Sequence, residues 1–416
     1  MRLSSIQTFN QGVNQMLDLN RQVSETQNQI SSGTRITKPS DDPVAASRLM
    51  SLTDDLAARD QYQKDINLMR NRVNEEETVL SSVNDLLIRV RELTTQAGNG
   101  ALTLDDRGSI AAEIKQKLQQ LEDMVNTQDA SGDYIFGGYK TSTPPFTDTG
   151  NQNYRYVGDE GQRFVRISNT VSLPASDSGK DIFVDIPSAN NTFTTKASGS
   201  NTAEPPASIS VGLVTDQEAY DEFYPDDLII EFQHPDERTL LGSPSQANFN
   251  IYSKSDGRLL QGNVPYVSGA PISVNGVQFN IEGKPNIGDS FTIESSQNQD
   301  MLTTISRLYS GLTQLGSSDE DTAAYNQLIA DSLVNLQAAE ESVLTTRAEI
   351  GARLNTLDST ESLHDDLELV SLQLQSDLRD LDFAEATSRL SFETFVLEAA
   401  QQSYVKVAQL SLFNSL

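Results

Sequence analysis

INLMRNRVNEEETVLSSVNDLLIRV, residues 66–90, places Ile66, Met69, Val73, Leu80, Val83, Leu87 and Val90 in a register of alternating three- and four-residue steps. That spacing keeps one apolar stripe on one side of a helix and packs it knob-into-hole against other helices. Glu76 is the polar occupant of the register. It reads either as a register device or, more simply, as a solvated edge position.

The signals around this stretch extend it into one long helix. Asp42 is an N-cap and Pro43 sits at the first helical position, where its missing N–H costs nothing. Gly98-Asn99-Gly100 stops the helix after Ala97. At 1.5 Å per residue such a helix runs ~80 Å, a length more typical of fibrous than of globular proteins. Thr103, with Asp106 three residues on, opens a further helix through a capping box, ending near Gly132.

The same periodicity recurs at both ends of the chain. Ile6, Phe9, Val13, Met16, Val23 and Ile30 follow it, with Asn20 and Gln27 filling two positions, and Gly33 then ends the segment. On the far side, Ile329, Leu333, Leu336, Val343, Ile350, Leu354 and Leu357 repeat it. Leu363, Leu367, Val370, Leu374, Leu378 and Leu381 carry it on. The outermost stripes are narrow and the rest of their faces polar, so a lone helix there gains too little to offset its ordering entropy. The two ends are therefore expected to be disordered before assembly and to order against other subunits.

Between the helical ends the pattern changes to short alternating runs among Gly, Pro, Ser, Thr and Asn. Residues 134–141 read as a hairpin around Gly137-Gly138. Residues 154–157 and 163–167 flank the turn 158–161. Ile272–Val274 and Val277–Ile281 flank Asn275-Gly276, the strongest short hairpin signal. The Ser/Thr/Asn/Pro-rich residues 188–208 read as a surface loop or linker, a point at which the insert could divide into two lobes.

The fold class expected is α+β: a long helical coiled-coil or bundle domain built from both termini, with an inserted all-β domain. Its divisions are an N-terminal arm at 1–42 and the first half of the helical core, with a β-hairpin, at 43–148. The insert follows at 149–299, the second half of the core at 300–384 and a C-terminal arm at 385–416.

Composition narrows the function. The 416 residues carry 59 acidic against 30 basic side chains, a net charge of −29. Such a surface repels phosphate backbones and anionic lipid, so neither nucleic acid nor a membrane surface is expected as a partner. There is no cysteine, hence no disulfide and no thiolate zinc site. The first residues lack the apolar core and cleavage site of a secretory signal, and no run approaches a membrane span.

Chemistry is scarce. The two histidines, His234 and His364, lie far apart in a loop and a polar helical stretch, and no GxSxG elbow or GxxxxGK[ST] loop occurs. Asp41-Asp42, Asp105-Asp106 and Asp319-Glu320-Asp321 sit at helix starts, where capping and dipole compensation account for them. No catalytic residue, cofactor or metal is expected. Tyr220, Phe223 and Tyr224 give a weak motive for a carbohydrate- or host-surface-binding role of the insert.

Two separated motifs carry a family resemblance. QISSGTRI (29–36) with PSDDPVAA (39–46) resembles the N-terminal signature of the bacterial flagellin family. LRDLDFAEA (378–386), running through Gln401-Gln402-Ser403-Tyr404 to Ser411-Leu412-Phe413, resembles its C-terminal helix. GNGALTLDDR (98–107), GDYIFGGYKT (132–141), TPPF (143–146) and RAEIGARLN (347–355) are similar to the hook–filament junction branch of that family, and GKPNIGDSFTI (283–293) to a β module of hook-associated proteins.

The resemblance implies a structural subunit of the bacterial flagellum. Its role would be a junction adaptor connecting the hook, through hook-associated protein 1, to the flagellin filament; the alternative is the flagellin subunit itself. It also implies self-association in a ring, and a cytoplasmic export chaperone on the C-terminal region. Export would run uncleaved through the flagellum-specific type III apparatus to an extracellular position. The residues expected to pack between subunits are Ile6, Phe9, Val13, Met16, Val23 and Ile30 with Leu390, Phe392, Leu397, Val407, Leu410 and Phe413.

Overall fold

The computed structural model describes residues 5–233 and 248–413, without the side chains of residues 5, 6, 8, 9 and 407–413. Seven α-helices and thirteen strands are described. Long helices occupy both ends and an all-antiparallel β domain the middle, the α+β class expected from the sequence. The chain clusters into two compact units. One comprises residues 1–66 with 358–416, the other residues 67–357.

The second unit holds the core. Helix α2 (Pro43–Ala97) contributes its C-terminal part and α6 (Asp319–Arg379) its N-terminal part, joined by α3 (Leu104–Val125) and α5 (Met301–Gln314). Met69, Val73, Leu80, Val83, Leu87 and Val90 are fully buried, as are Leu336, Val343, Ile350 and Leu357. Each such side chain contributes about 1.5–3 kcal/mol of burial. Asp42 caps α2 by accepting from the Ala45 N–H at 3.0 Å. Thr103 and Asp106 form the capping box of α3. Arg347 meets Glu77 at 2.7 Å and the Tyr325 hydroxyl donates to the Ala97 carbonyl at 2.8 Å, tying α6 to α2 at both edges of the apolar seam.

Four short strands lead into the β domain, and their pairing differs from the sequence reading. Strand β2 (Tyr154–Tyr156) pairs back onto β1 (Phe146–Asp148), while β3 (Phe164–Arg166) pairs forward onto β4 (Ser172–Pro174). The 158–161 turn therefore joins two hairpins instead of forming one. Residues 134–141 form consecutive turns, not a two-stranded hairpin. The Asp159 carboxylate accepts from the Tyr139 N–H across the turns, and Phe136 is drawn into the core.

A π-helical turn (Lys180–Val184) precedes β5 (Pro187–Ala197), an eleven-residue strand where the sequence reading has a loop. Its Ser, Asn and Thr side chains look loop-like in composition, but they are held. The Asn335 side chain accepts from the Ala189 N–H at 2.7 Å, Asn190 reaches Asp331 at 2.9 Å, and β13 (Ser290–Asn298) pairs along the strand.

The main sheet runs β10-β9-β8-β13-β5, with β8 Leu228–Gln233, β9 Asn248–Ser253 and β10 Leu259–Pro265. A smaller sheet sets β11 (Pro271–Val274) against β12 (Val277–Glu282), which also pairs β6 (Ser208–Ile209) and β7 (Leu213–Val214). The β11–β12 hairpin turns on Asn275 and Gly276, both at positive φ, the mirror-image turn that suits strand twist. One apolar cluster serves both sheets and includes Phe193, Phe232, Phe249, Val277 and Phe291. A short helix, α4 (Gln217–Phe223), turns Tyr220 into that cluster.

In the first unit, α1 (Ser5–Ser32) runs antiparallel to α7 (Phe383–Phe413). A side chain at Gly12 would meet the Tyr404 ring, and one at Gly33 would meet Phe383. Gly33, at φ 70°, ends α1, and Thr34 bridges to Asp380.

Candidate subunit-packing faces

Helix α7 carries two seams. Ala386, Leu390, Glu393, Leu397, Ala400 and Tyr404 step by four and three and are buried or half-buried, as are Thr394 and Val396 beside them. Two residues further on, Ser388, Phe392, Phe395, Ala399, Gln402 and Lys406 repeat the same steps and are all exposed. Phe392 and Phe395 are each 67% exposed and lie three residues apart on one face, so they form a shared apolar patch.

The expected packing residues divide accordingly. Leu390 and Leu397 lie half-buried on the first seam, and Phe392 on the bare one. On α1, Val23 is buried, while Val13, Met16 and Ile30 are half-buried. The register on α1 is completed by Leu19 and Thr26 instead of Asn20 and Gln27, which are exposed. The side chains of Ile6, Phe9, Val407, Leu410 and Phe413 lie outside the described residues.

Helix α6 departs from the sequence reading in one stretch. Val343, Ile350 and Leu357 set a heptad that continues, seven residues at a time, to His364 and Ser371, and these two are the buried positions. His364 stacks on Tyr62 at 5.6 Å, and Gln63 donates to Glu361 at 3.0 Å, so α2 and α6 meet here through polar side chains. Leu363, Leu367, Val370 and Leu374 are consequently left outside, 54, 37, 56 and 48% exposed. The sequence reading had joined this stripe to the internal seam. The structure makes it a second, uncovered one.

Two polar centres stabilise the second unit. Arg307, the one charged side chain of α5, is 4% exposed and threads into the β domain. Its Nε donates to the Gly212 carbonyl at 3.1 Å and Nη2 to the carbonyls of Phe193 at 2.6 Å and Val211 at 3.3 Å. Nη1 donates to the Thr192 hydroxyl and to the Gln299 side chain, and the guanidinium lies 4.4 Å from the Phe193 ring centroid. Burial holds its pKa down, to about 10.

Glu76 is the second centre, and it is buried, not a solvated edge. Its Oε1 accepts the Asp177 N–H at 3.2 Å, and the Asp177 carboxylate is paired with Arg353 at 2.5 Å. Burial, reinforced by the Asp177 charge and opposed by Arg353, pushes the Glu76 carboxyl up to about 8.

The other candidates for chemistry do not assemble. His234 lies outside the described residues. Among the described residues no group of three His, Cys, Asp or Glu side chains is placed to hold a metal, and no helix is long and apolar enough to cross a membrane. Asp41, Asp42 and Asp106 serve as turn and cap acceptors. Tyr220 is 1% exposed with its hydroxyl on the Thr192 carbonyl at 2.6 Å, and Phe223 and Tyr224 pack against the same core. These three aromatics do not form an exposed ligand platform.

Comparison with known proteins agrees with the helical frame. The family model described as the bacterial flagellin N-terminal helical region matches residues 5–141. Flagellar hook-associated protein 3 of Escherichia coli K12 is 26% identical over 419 residues, covering 100% of this chain and 99% of the relative. The protein of the same name from Salmonella typhimurium is 31% identical over 230 residues, 51% of this chain and 72% of the relative. The crystal structure of flagellar hook-associated protein-3 from Legionella pneumophila superposes with a TM-score of 0.53 at 28% identity, over 79% of this chain and 98% of that one. With long helices at both ends, and a relative of that name 31% identical and matched over 72% of its own length, the chain belongs to the flagellar hook-associated protein 3 family.

Proposed function

We propose that this chain is the adaptor at the junction of the flagellum, connecting the hook, through hook-associated protein 1, to the flagellin filament. Its flagellar structural role follows from the family. The observation that supports the adaptor reading is the full-length match to hook-associated protein 3, together with two heptad seams that one chain leaves bare. Heterologous contacts of that kind repeat into rings or helical arrays. The helical core at 43–148 and 300–384 would form the wall, the insert at 149–299 would face outward, and the molecule would act by packing, without catalysis. Export uncleaved to an extracellular site, and a chaperone on the C-terminal region beforehand, belong to the same reading.

A deletion strain tests it. The expected phenotype is intact hooks, no filaments, and unpolymerised flagellin shed into the medium. Full-length filaments in the deletion strain would refute the adaptor role.

The arms at 1–42 and 385–416 are proposed to order on assembly. On α1, Val23 is the one buried apolar side chain among the described residues, and Val13, Met16, Leu19 and Ile30 are only half-buried, which is too little to hold a helix pair firmly. Limited proteolysis of the monomer should trim the first and last few tens of residues before any other site. Resistance at both ends would contradict ordered assembly at a growing tip.

A further inference from the structure

Leu363, Leu367, Val370 and Leu374 on α6 step by four, three and four, and Ser388, Phe392, Phe395 and Ala399 on α7 repeat those steps. Both sets are exposed within one chain. A stripe with heptad spacing suits another helix, whose side chains frame holes for successive residues, and exposed Leu369 and Leu372 widen the apolar face beside the α6 stripe. A strand or a flat surface does not offer such holes.

Charge then decides which helix. Between Asp358 and Asp377 the α6 segment carries Asp358, Glu361, Asp365, Asp366, Glu368 and Asp377 and no Lys or Arg. Two copies of this segment facing each other would bring like charges together along their length, so a two-fold contact between identical stripes is disfavoured. Over residues 383–406 α7 carries Glu385, Glu393 and Glu398 against Arg389 and Lys406, so it is nearly neutral where the α6 segment is uniformly acidic. Its bare face offers α6 two phenyl rings and ends at Lys406, in place of a second helix without cations.

We infer that the Leu363–Leu374 stripe of one copy receives the Phe392–Phe395 face of α7 from a second copy. The contact is heterologous, so each chain donates one face and accepts the other, and it repeats from subunit to subunit around a ring or along a helical array. The inference rests on the adaptor reading and names the surfaces by which that adaptor repeats.

The absence of cysteine makes the test clean. Full-length Val370→Cys and Phe395→Cys chains, each substituted at an exposed site, are mixed under mild oxidation at assembling concentration. The mixture should form several-fold more disulfide-linked dimer than either variant alone, since a disulfide needs Cα atoms about 4.4–6.8 Å apart. Equal dimer in either variant alone, or none in the mixture, would overturn the pairing. In assembled flagella, a benzophenone amino acid at position 370 should capture a peptide from residues 383–406 of another copy. Capture of a hook or flagellin peptide instead would assign the stripe to that partner and reject the inference. A filamentless deletion strain combined with no cross-link would leave the adaptor role standing and remove only this contact.

Discussion

Replacing Arg307 with Met should destabilise the second unit by about 3–5 kcal/mol, because several buried acceptors lose a charged donor at once. The guanidinium has five N–H donors in a rigid fork. Here each finds an acceptor: the carbonyls of Phe193, Val211 and Gly212, the Thr192 hydroxyl and the Gln299 amide oxygen. Methionine fills a similar length but takes a donor from each; the Thr192 hydroxyl still donates to the Gln299 side chain at 3.1 Å, and each acceptor left without a donor costs about 1–3 kcal/mol. Relaxation and entering water recover part of that total. Arg307→Lys keeps the charge yet supplies three donors from a point instead of five from a plane, so it should fall between Met and the natural residue.

The loss should be local as well as large. Arg307 fixes α5 against β5 and the Val211–Gly212 segment, so hydrogen exchange should accelerate first in those strands. Urea titration followed by circular dichroism gives the free energy. An Arg307→Met midpoint within about 1 kcal/mol of the natural chain would mean that the fork does not hold the insert to its helix.

Arg307 also shows what the sequence could and could not disclose. The helical frame was legible because its signals are local. Asp42-Pro43, Thr103 with Asp106, Gly33, and Gly98-Asn99-Gly100 each act within a few residues of the end they mark. Partner choice in the β domain was not legible, because Tyr154–Tyr156 alternates equally well whether it pairs forward or back. Within the stretch read as a loop, residues 188–197 misled by composition, since Thr and Asn become strand-formers once Asn335 and Asp331 hold them, while residues 198–207 are loop as read.

The heptads gave a subtler difficulty. Leu363, Leu367, Val370 and Leu374 form a better apolar seam than the true internal one through His364 and Ser371, and apolar content alone selects the wrong face. Counting sevens from Val343 would have found it. Arg307 had a signal too, as the lone charge in the otherwise uncharged run Met301–Gln314. A single cation there has either to reach solvent or to find a full set of acceptors.

Glu76 leads to the second large effect, in which pH and mutation can be read together. Its carboxyl binds a proton more tightly in the folded chain, at about 8, than in the unfolded chain near 4.5. The stabilisation is therefore complete below the unfolded value and declines as pH rises from about 4.5 towards 8. One such group gives a slope of at most about 1.4 kcal/mol per pH unit. Glu76→Gln keeps an oxygen for the Asp177 N–H and cannot ionise, so its stability should be flat where the natural chain declines, and higher at pH 8. Arg353→Met acts in the opposite direction. It strips the cation from the buried Asp177 carboxylate, which retains the Gln162 amide at 3.1 Å, and should cost about 3–5 kcal/mol at neutral pH. It also removes the charge that holds the Glu76 carboxyl down, so the decline should extend to higher pH. Above pH 8, where Glu76 ionises in the natural chain but stays protonated longer in Arg353→Met, Glu76→Gln should raise stability by a different amount in the two backgrounds. If the two substitutions simply add in urea titrations above pH 8, Glu76, Asp177 and Arg353 do not behave as one coupled centre.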